Sequence, residues 1–323
     1  MVMPGDFTNK KVLITGASGF IGSHLALRLV NAGSHVAVIV RETTDLWRLR
    51  EIKDSIRLCR GDLREQQQVE ACVRAIRPDY VFHLGAYGVD SRERNEIQAV
   101  KTNVSGTVFL VSALLKTGCE KLLNIGSCME YGNKAERVRE DAPLEPFNIY
   151  GSTKAAGIII AHQLAAQGGL PLVTLRAFGI FGENEGSHKF FPHIILSLLQ
   201  DREVRLTGCE QFRDYCYVEN LVDAFLLAAQ DQACKNEIFN IGCGAIRPLK
   251  DYVEMIYAQM NCPAKPNYGA IPYRRDEVWR PHPDISKIQA VLQWAPRLSL
   301  EEGLTRTINW YRHNLDKYQG TGR

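Results

Sequence analysis

Three glycines, at positions 16, 19 and 22, constrain this chain more than any other feature. They stand in Thr15-Gly16-Ala17-Ser18-Gly19-Phe20-Ile21-Gly22, directly after the short apolar run Val12-Leu13-Ile14. Beyond them Leu25, Ala26, Leu27, Leu29 and Val30 recur with helical spacing, and Gly33 marks the stop. A strand, a glycine turn and a helix in that order leave few architectures open. Glycines let the backbone turn tightly and approach a bulky anion, while the helix N-terminus offers it unpaired N–H groups and a partial positive charge. The turn therefore predicts a pyrophosphate site at the start of an α/β domain.

The rest of the first half keeps the same rhythm. Residues 36–40 read as the next buried strand, and apolar runs at 80–84, 122–125 and 172–175 repeat the pattern, with helical stretches at 104–115 and 152–166 between them. Strands alternating with helices imply right-handed crossovers and hence a parallel sheet. The expected fold class is α/β, a doubly wound parallel sheet of the Rossmann type. After Arg176 the rhythm breaks into loops rich in Gly, Pro, aromatics and Arg, interrupted by a helix at 221–229 and a strand at 238–241. That interruption divides the chain into a dinucleotide-binding domain of residues 1–178 and 219–244 and a smaller, discontinuous substrate-binding lobe of 179–218 and 245–323.

Composition excludes several classes of partner. The net charge of +3 is mild and dispersed, and no basic run is interleaved with aromatics, so no nucleic-acid partner is expected. No apolar stretch reaches the ~18 residues of a membrane span, and residues 1–11 lack an apolar core, so neither membrane insertion nor export is expected and the protein reads as cytoplasmic. Nine cysteines, at 59, 72, 119, 128, 209, 216, 234, 243 and 262, show no close pairing and read as reduced thiols. Neither they nor the eight histidines have metal-site spacing, so no metal is expected.

Two residues, not one, separate Gly16 from Gly19, and this Gly-x-x-Gly-x-x-Gly turn resembles that of the extended short-chain dehydrogenase/reductases, the NAD-dependent epimerase/dehydratase family. The resemblance implies a nicotinamide cofactor held by Gly16, Ser18, Gly19, Phe20, Ile21 and Gly22. Gly61-Asp62-Leu63 resembles the element that contacts the adenine, with Asp62 as the acid and Leu63 beside it. His83-Leu84-Gly85-Ala86 resembles the loop below the cofactor phosphates, with Gly85 where Ala is commoner; Leu84, Ala86 and the following Asn103 are implied contacts. Phe178 falls in Leu175-Arg176-Ala177-Phe178-Gly179-Ile180-Phe181-Gly182, which resembles the turn into the substrate lobe, although Gly179 replaces the usual Asn. At the end of the second strand a carboxylate would pair with the ribose hydroxyls of NAD, whereas a cation accommodates the extra phosphate of NADP. The chain has Ile39-Val40-Arg41 there, so Arg41 favours NADP(H), with NAD(H) as the alternative.

Tyr150 and Lys154 lie four apart and share a helix face. Alone the pair is unremarkable in a chain with 12 Tyr. It becomes specific beside Ser127, which precedes Tyr131-Gly132 by four residues as the family's catalytic Ser or Thr does. Carbonyl reduction needs a proton for oxygen as hydride reaches carbon, and a nearby ammonium is expected to draw a phenol's pKa of about 10 toward the working range. The resemblance adds that Tyr150 and Lys154 both contact the cofactor, Lys154 holding the nicotinamide ribose, and that Ser127 holds the substrate oxygen. Where sugar 4,6-dehydratases carry Asp then Glu after that Ser or Thr, this chain has Cys128 and Met129, neither able to do carboxylate work, which disfavours dehydration. Cys128 and Met129, with Lys189, Phe190, Arg213 and Arg280, are the expected substrate contacts; Arg213 is read as the diphosphate ligand, and Arg280 comes from a cluster with Arg274 and Arg275.

These features look like the nucleotide-sugar 4-ketoreductases, the branch that includes CDP-abequose synthases. The reading is NADPH-dependent reduction of the C4 carbonyl of a nucleotide-diphosphate 4-keto-6-deoxyhexose. Its rivals are an epimerase that holds NAD tightly and, further off, a non-enzymatic dinucleotide sensor. Residues 104–115 and 152–166 carry more apolar side chains than one buried face requires, which predicts a homodimer.

Overall fold

Short runs of β-branched and leucine residues with almost no polar interruption make strands that are buried on both faces, as a parallel sheet requires. In the computed structural model, which describes residues 6–90, 92–134, 136–274 and 277–318, these runs form β1 (Lys11–Thr15), β2 (His35–Val40), β4 (Tyr80–His83), β5 (Lys121–Ser127) and β6 (Leu172–Ala177), while β3 (Ile56–Arg60), with Arg57 and Arg60 and no buried residue, is an edge strand. Two small ladders follow. One pairs β7 (Gly179–Phe181) with β9 (Tyr215–Tyr217), and the other pairs β8 (Phe212–Arg213) with β11 (Arg247–Pro248). Between them β10 (Glu237–Ile241) joins the main sheet beside β6.

The seven strands are ordered β10-β6-β5-β4-β1-β2-β3, every pair parallel. The chain leaves β1 toward β2 and β3, then returns to place β4 on β1's other side. That reversal opens a crevice at the C-terminal ends of β1 and β4, where a parallel sheet of this order takes its ligand.

Helices cover both faces. α1 (Phe20–Asn31) and α7 (Val218–Gln230) bury Leu25, Leu29, Leu221 and Phe225 against one. α2 (Gln66–Ile76), α4 (Gly106–Thr117) and α5 (Ile149–Gly168) bury Val69, Val73, Leu110, Leu114, Ala161 and Ala165 against the other. Ahead of α4, the short α3 (Glu96–Ala99) runs into a π-helical stretch, Val100–Ser105.

The second half holds more helix than its loop-like composition suggests. α6 (Phe190–Leu199), α8 (Leu249–Gln259), α9 (Ser286–Leu292) and α10 (Leu300–His313) lie in segments read from sequence as loops. A second apolar cluster, containing Phe191, Ile194, Tyr252, Ile256, Leu304 and Tyr311, joins α6, α8 and α10. In α8 the buried Leu249, Tyr252, Val253, Ile256 and Tyr257 recur at helical spacing, a signal masked by the surrounding Gly and Pro.

Candidate active site

The glycine turn is too tightly packed for side chains. Gly16 has φ +72°, and a Cβ there would lie 2.6 Å from the Leu84 carbonyl carbon and the Gly85 nitrogen; a Cβ on Gly22 would lie 2.2 Å from the Gly16 oxygen. Gly19, the N-cap of α1, supplies no side-chain acceptor, and no acid stands in the first turn, so the leading N–H groups at Phe20, Ile21 and Gly22 are left to an external anion. This cradle fits the pyrophosphate of a nicotinamide dinucleotide. Arg48 donates from Nη1 to the Ser18 carbonyl at 3.3 Å and from Nε to the Asn184 carbonyl at 2.7 Å, tying the turn to the segment after β7.

At the adenine end, Arg41 is exposed just beyond β2. Arg60 donates to the Arg41 carbonyl at 3.3 Å and stands 3.7 Å from Glu42. Arg64 Nε donates to both Asp62 oxygens, at 2.9 and 3.0 Å, and the Arg64 bonds hold this carboxyl below its usual range. Leu63 lies against the loop after β4: its Cδ1 would be 2.6 Å from a Cβ on Gly85, which accounts for glycine where alanine is commoner.

His83 fixes that loop through a chain of bonds whose polarity can be worked out. The Thr107 hydroxyl donates to the Asn103 carbonyl at 2.7 Å, so at 3.0 Å from His83 Nε2 it must accept that ring N–H. Nδ1 then accepts from the Thr15 hydroxyl at 2.7 Å, whose oxygen accepts the Gly85 N–H at 3.0 Å. Burial, with the Lys154 charge adding to it, pushes the imidazole down to about 3, so it stays neutral. Leu84 and Ala86 flank Gly85 in this fixed loop, and Leu84 N–H bonds the Thr15 carbonyl. Asn103 is committed: its amide donates to the Tyr87 carbonyl and Thr153 hydroxyl and accepts the Tyr87 N–H. It shapes the loop that follows Ala86.

Ser127 ends β5, and Tyr150 and Lys154 lie on the first turns of α5, capped by Asn148, whose side chain accepts the Gly151 N–H at 2.8 Å. Gly151 permits the approach, since a Cβ there would lie 2.2 Å from the Met129 oxygen. The result sets Ser127 close enough to Tyr150 to act on its phenol. Burial raises the Tyr150 phenol above its ordinary value, Ser127 opposing it. Lys154 does not draw it down, contrary to expectation: burial works on the ammonium as well, lowering it to about 8. Among the described residues Lys154 has no hydrogen-bond partner.

Glu130, which sequence reasoning missed, holds this corner. Its carboxylate accepts the Ser127 N–H at 2.6 Å and Arg176 Nε at 2.7 Å, and both members of the ion pair are buried. The Ser127 hydroxyl in turn accepts the Met129 N–H at 3.2 Å, completing a capping box. Ser-x-x-Glu is the signature that could have found it.

Cys128 borders the same corner. Burial raises its thiol to about 11, with the Arg213 charge opposing. Phe178 packs on Tyr131 with ring centroids 6.3 Å apart. Lys189 donates to the Val89 carbonyl at 3.0 Å, and Phe190 stacks on Tyr215 at 6.0 Å. Arg213 is already paired, with Glu277 at 2.5 Å. Arg280 lies over the Phe212 ring at 4.6 Å, and Arg274 is exposed; Arg275 lies outside the described residues. No group of three or more His, Cys, Asp or Glu that could hold a metal occurs among the described residues.

A dinucleotide cradle at the switch point of a parallel sheet, with a buried Ser127 and Lys154 and a half-buried Tyr150, defines a nicotinamide-dependent enzyme of the short-chain type. The chain matches the NAD dependent epimerase/dehydratase family over residues 12–242 and belongs to it. It is 28% identical over 322 residues to an Arabidopsis thaliana trifunctional UDP-glucose 4,6-dehydratase/UDP-4-keto-6-deoxy-D-glucose 3,5-epimerase/UDP-4-keto-L-rhamnose-reductase, covering 96% of this chain but only 48% of that protein, so it spans about half of that relative. The UDP-glucose 4-epimerase of Thermotoga maritima, solved with UDP-glucose, superposes with TM-score 0.87 at 27% identity over 94% of this chain and 99% of that one. MoeE5 in complex with UDP-glucose and NAD gives 0.83 at 30% identity, with the same coverage. These relatives span dehydration, epimerisation and reduction; they define the family and leave the reaction to the site.

Proposed function

We propose that the protein uses NADPH to reduce the C4 carbonyl of a nucleotide-diphosphate 4-keto-6-deoxyhexose. The observation that carries this reading is the pair after Ser127. A half-buried Cys128 thiol, raised to about 11, and the thioether of Met129 leave no carboxylate at the positions where dehydratases place theirs. Arg41, beyond β2, supports NADP(H) over the NAD bound by MoeE5.

When bound, the nicotinamide supplies the hydride; the proton comes from the chain. Tyr150 donates it to the carbonyl oxygen, and burial keeps the phenol in the protonated form that the step consumes. Ser127, beside Tyr150, holds that oxygen, and Lys154 holds the ribose. The nucleotide diphosphate is assigned to the lobe of residues 179–218 and 245–323, with Arg213, Arg280, Lys189 and Phe190 as its contacts. Exposed Ile97, Val100, Ile159 and Ile160, around α4 and α5, support a homodimer across these helices. All nine cysteines are free thiols, which supports a cytoplasmic enzyme, and among the described residues no helix is long and apolar enough to cross a membrane.

The competing reading is a nucleotide-sugar epimerase with tightly held NAD, favoured by the similarity to the Thermotoga epimerase. Incubation with NADPH and a panel of nucleotide 4-keto sugars, followed by product identification, separates them. The proposal expects one NADPH consumed per deoxysugar formed. Protein that purifies with stoichiometric NAD and interconverts sugars without added reductant is the epimerase.

A further inference from the structure

We propose that Glu277 sets the site's preference for a sugar-capped nucleoside diphosphate over the free nucleoside diphosphate. This rests on the reading of Arg213 as the diphosphate ligand. A guanidinium has five N–H donors, and three are accounted for here. Nη1 donates to the Phe212 carbonyl at 2.7 Å and the Val278 carbonyl at 2.6 Å, and Nη2 donates to Glu277 Oε1 at 2.5 Å. Among the described residues, Nε–H and the second Nη2–H have no acceptor. Nε and Nη2 share one side of the guanidinium plane, the two-pronged side that a phosphate takes.

Arg213 lies within electrostatic reach of residues at the candidate site. The Arg213 charge acts on the Cys128 thiol and the Tyr215 phenol, and the Glu277 charge also reaches Tyr215. Arg213 and Glu277 are only 18% and 12% exposed, so water screens the pair weakly. A phosphate seated on the free edge meets a cation that already has a counter-ion, with that carboxylate a few ångströms away.

Glu277 is not needed to aim the guanidinium, because two backbone carbonyls already fix it. What the carboxylate adds is negative charge, and its effect depends on the ligand. A diphosphate linked at both ends carries one charge per phosphate. A free nucleoside diphosphate carries nearly one more at neutral pH, since the second ionisation of a terminal phosphate lies near 6. Repulsion by Glu277 therefore falls more heavily on the free nucleotide, and the site resists occupation by nucleotides that carry no sugar.

Titration calorimetry of UDP, dTDP, UDP-glucose and dTDP-glucose tests this with wild type, Glu277→Gln, Glu277→Asp and Arg213→Ala. Glu277→Gln is expected to tighten UDP or dTDP about tenfold more than the matching sugar nucleotide, while Glu277→Asp keeps the wild-type preference. Equal changes for free and sugar-linked forms, or none, overturn the assignment of Glu277 while Arg213→Ala still weakens all ligands. If Arg213→Ala leaves every affinity unchanged, or wild type binds none of the four, the diphosphate reading itself falls, and with it this inference.

Discussion

Tyr150 and Lys154 sit on one helix face, and burial drives both toward their neutral forms. For the phenol this is useful, because the neutral form is the donor. Tyr150→Phe is expected to lower kcat at least a hundredfold and to leave cofactor affinity, read by quenching of protein fluorescence, within about twofold. For the ammonium it is a cost. Its pKa falls from 10.5 to about 8 on folding, so between those values the unfolded chain binds more protons and stability rises with pH. The burden is thus full at pH 7 and gone above pH 10.5, with an upper bound of roughly 3 kcal/mol at 1.36 kcal/mol per pKa unit. Lys154→Met should raise the melting temperature of the cofactor-free protein at pH 7, and should do so much less at pH 10.5, while abolishing turnover. An equal gain at both pH values would show that Lys154 is not a buried charge. Glu130 carries the opposite sign. Removing one partner of the buried Glu130–Arg176 pair strands the other, and Glu130→Ala should cost about 3–5 kcal/mol in urea denaturation.

At the scale of elements, the turn between β1 and α1 is the most exacting piece. A Cβ on Gly22 would lie 2.2 Å from the Gly16 oxygen, so Gly22→Ala is expected to force the helix start off the turn. Binding of NADPH and NADH should be lost together, while far-UV circular dichroism stays close to wild type. This turn was legible from sequence because its chemistry is local, and so were β1, β2, β4, β5 and β6, whose apolar runs carry their own signal. The positions of Ser127 at the end of β5 and of Tyr150 and Lys154 at the start of α5 were legible in the same way. What sequence did not disclose depends on contacts between distant segments. Glu277 meets Arg213 across 64 residues, and Glu130 meets Arg176 across 46. Asn103 sits in a π-helical stretch that no periodicity announces, where it turns inward to clamp Tyr87 and Thr153. The α6, α8 and α10 helices escaped because Gly, Pro and Arg around them look like loop.

Across the whole molecule, the proposed site draws on segments that begin near residue 16 and end near residue 280. Among the described residues, an apolar surface remains unpartnered within the single chain: Ile97 and Ile159 are 64% and 57% exposed. Replacing Ile159 and Ile160 together with Glu is expected to convert a dimer into monomers by sedimentation, and an unchanged wild-type monomer would remove the dimer from the account. The central claim is that Tyr150 gives a proton to an oxygen whose carbon takes hydride from NADPH. The most direct test supplies NADPH deuterated at nicotinamide C4, in each stereoisomer, with a nucleotide 4-keto-6-deoxyhexose. One deuterium at C4 of the product is expected from one stereoisomer, and no transfer by Tyr150→Phe. A product without deuterium from either stereoisomer, formed at the wild-type rate, would contradict it.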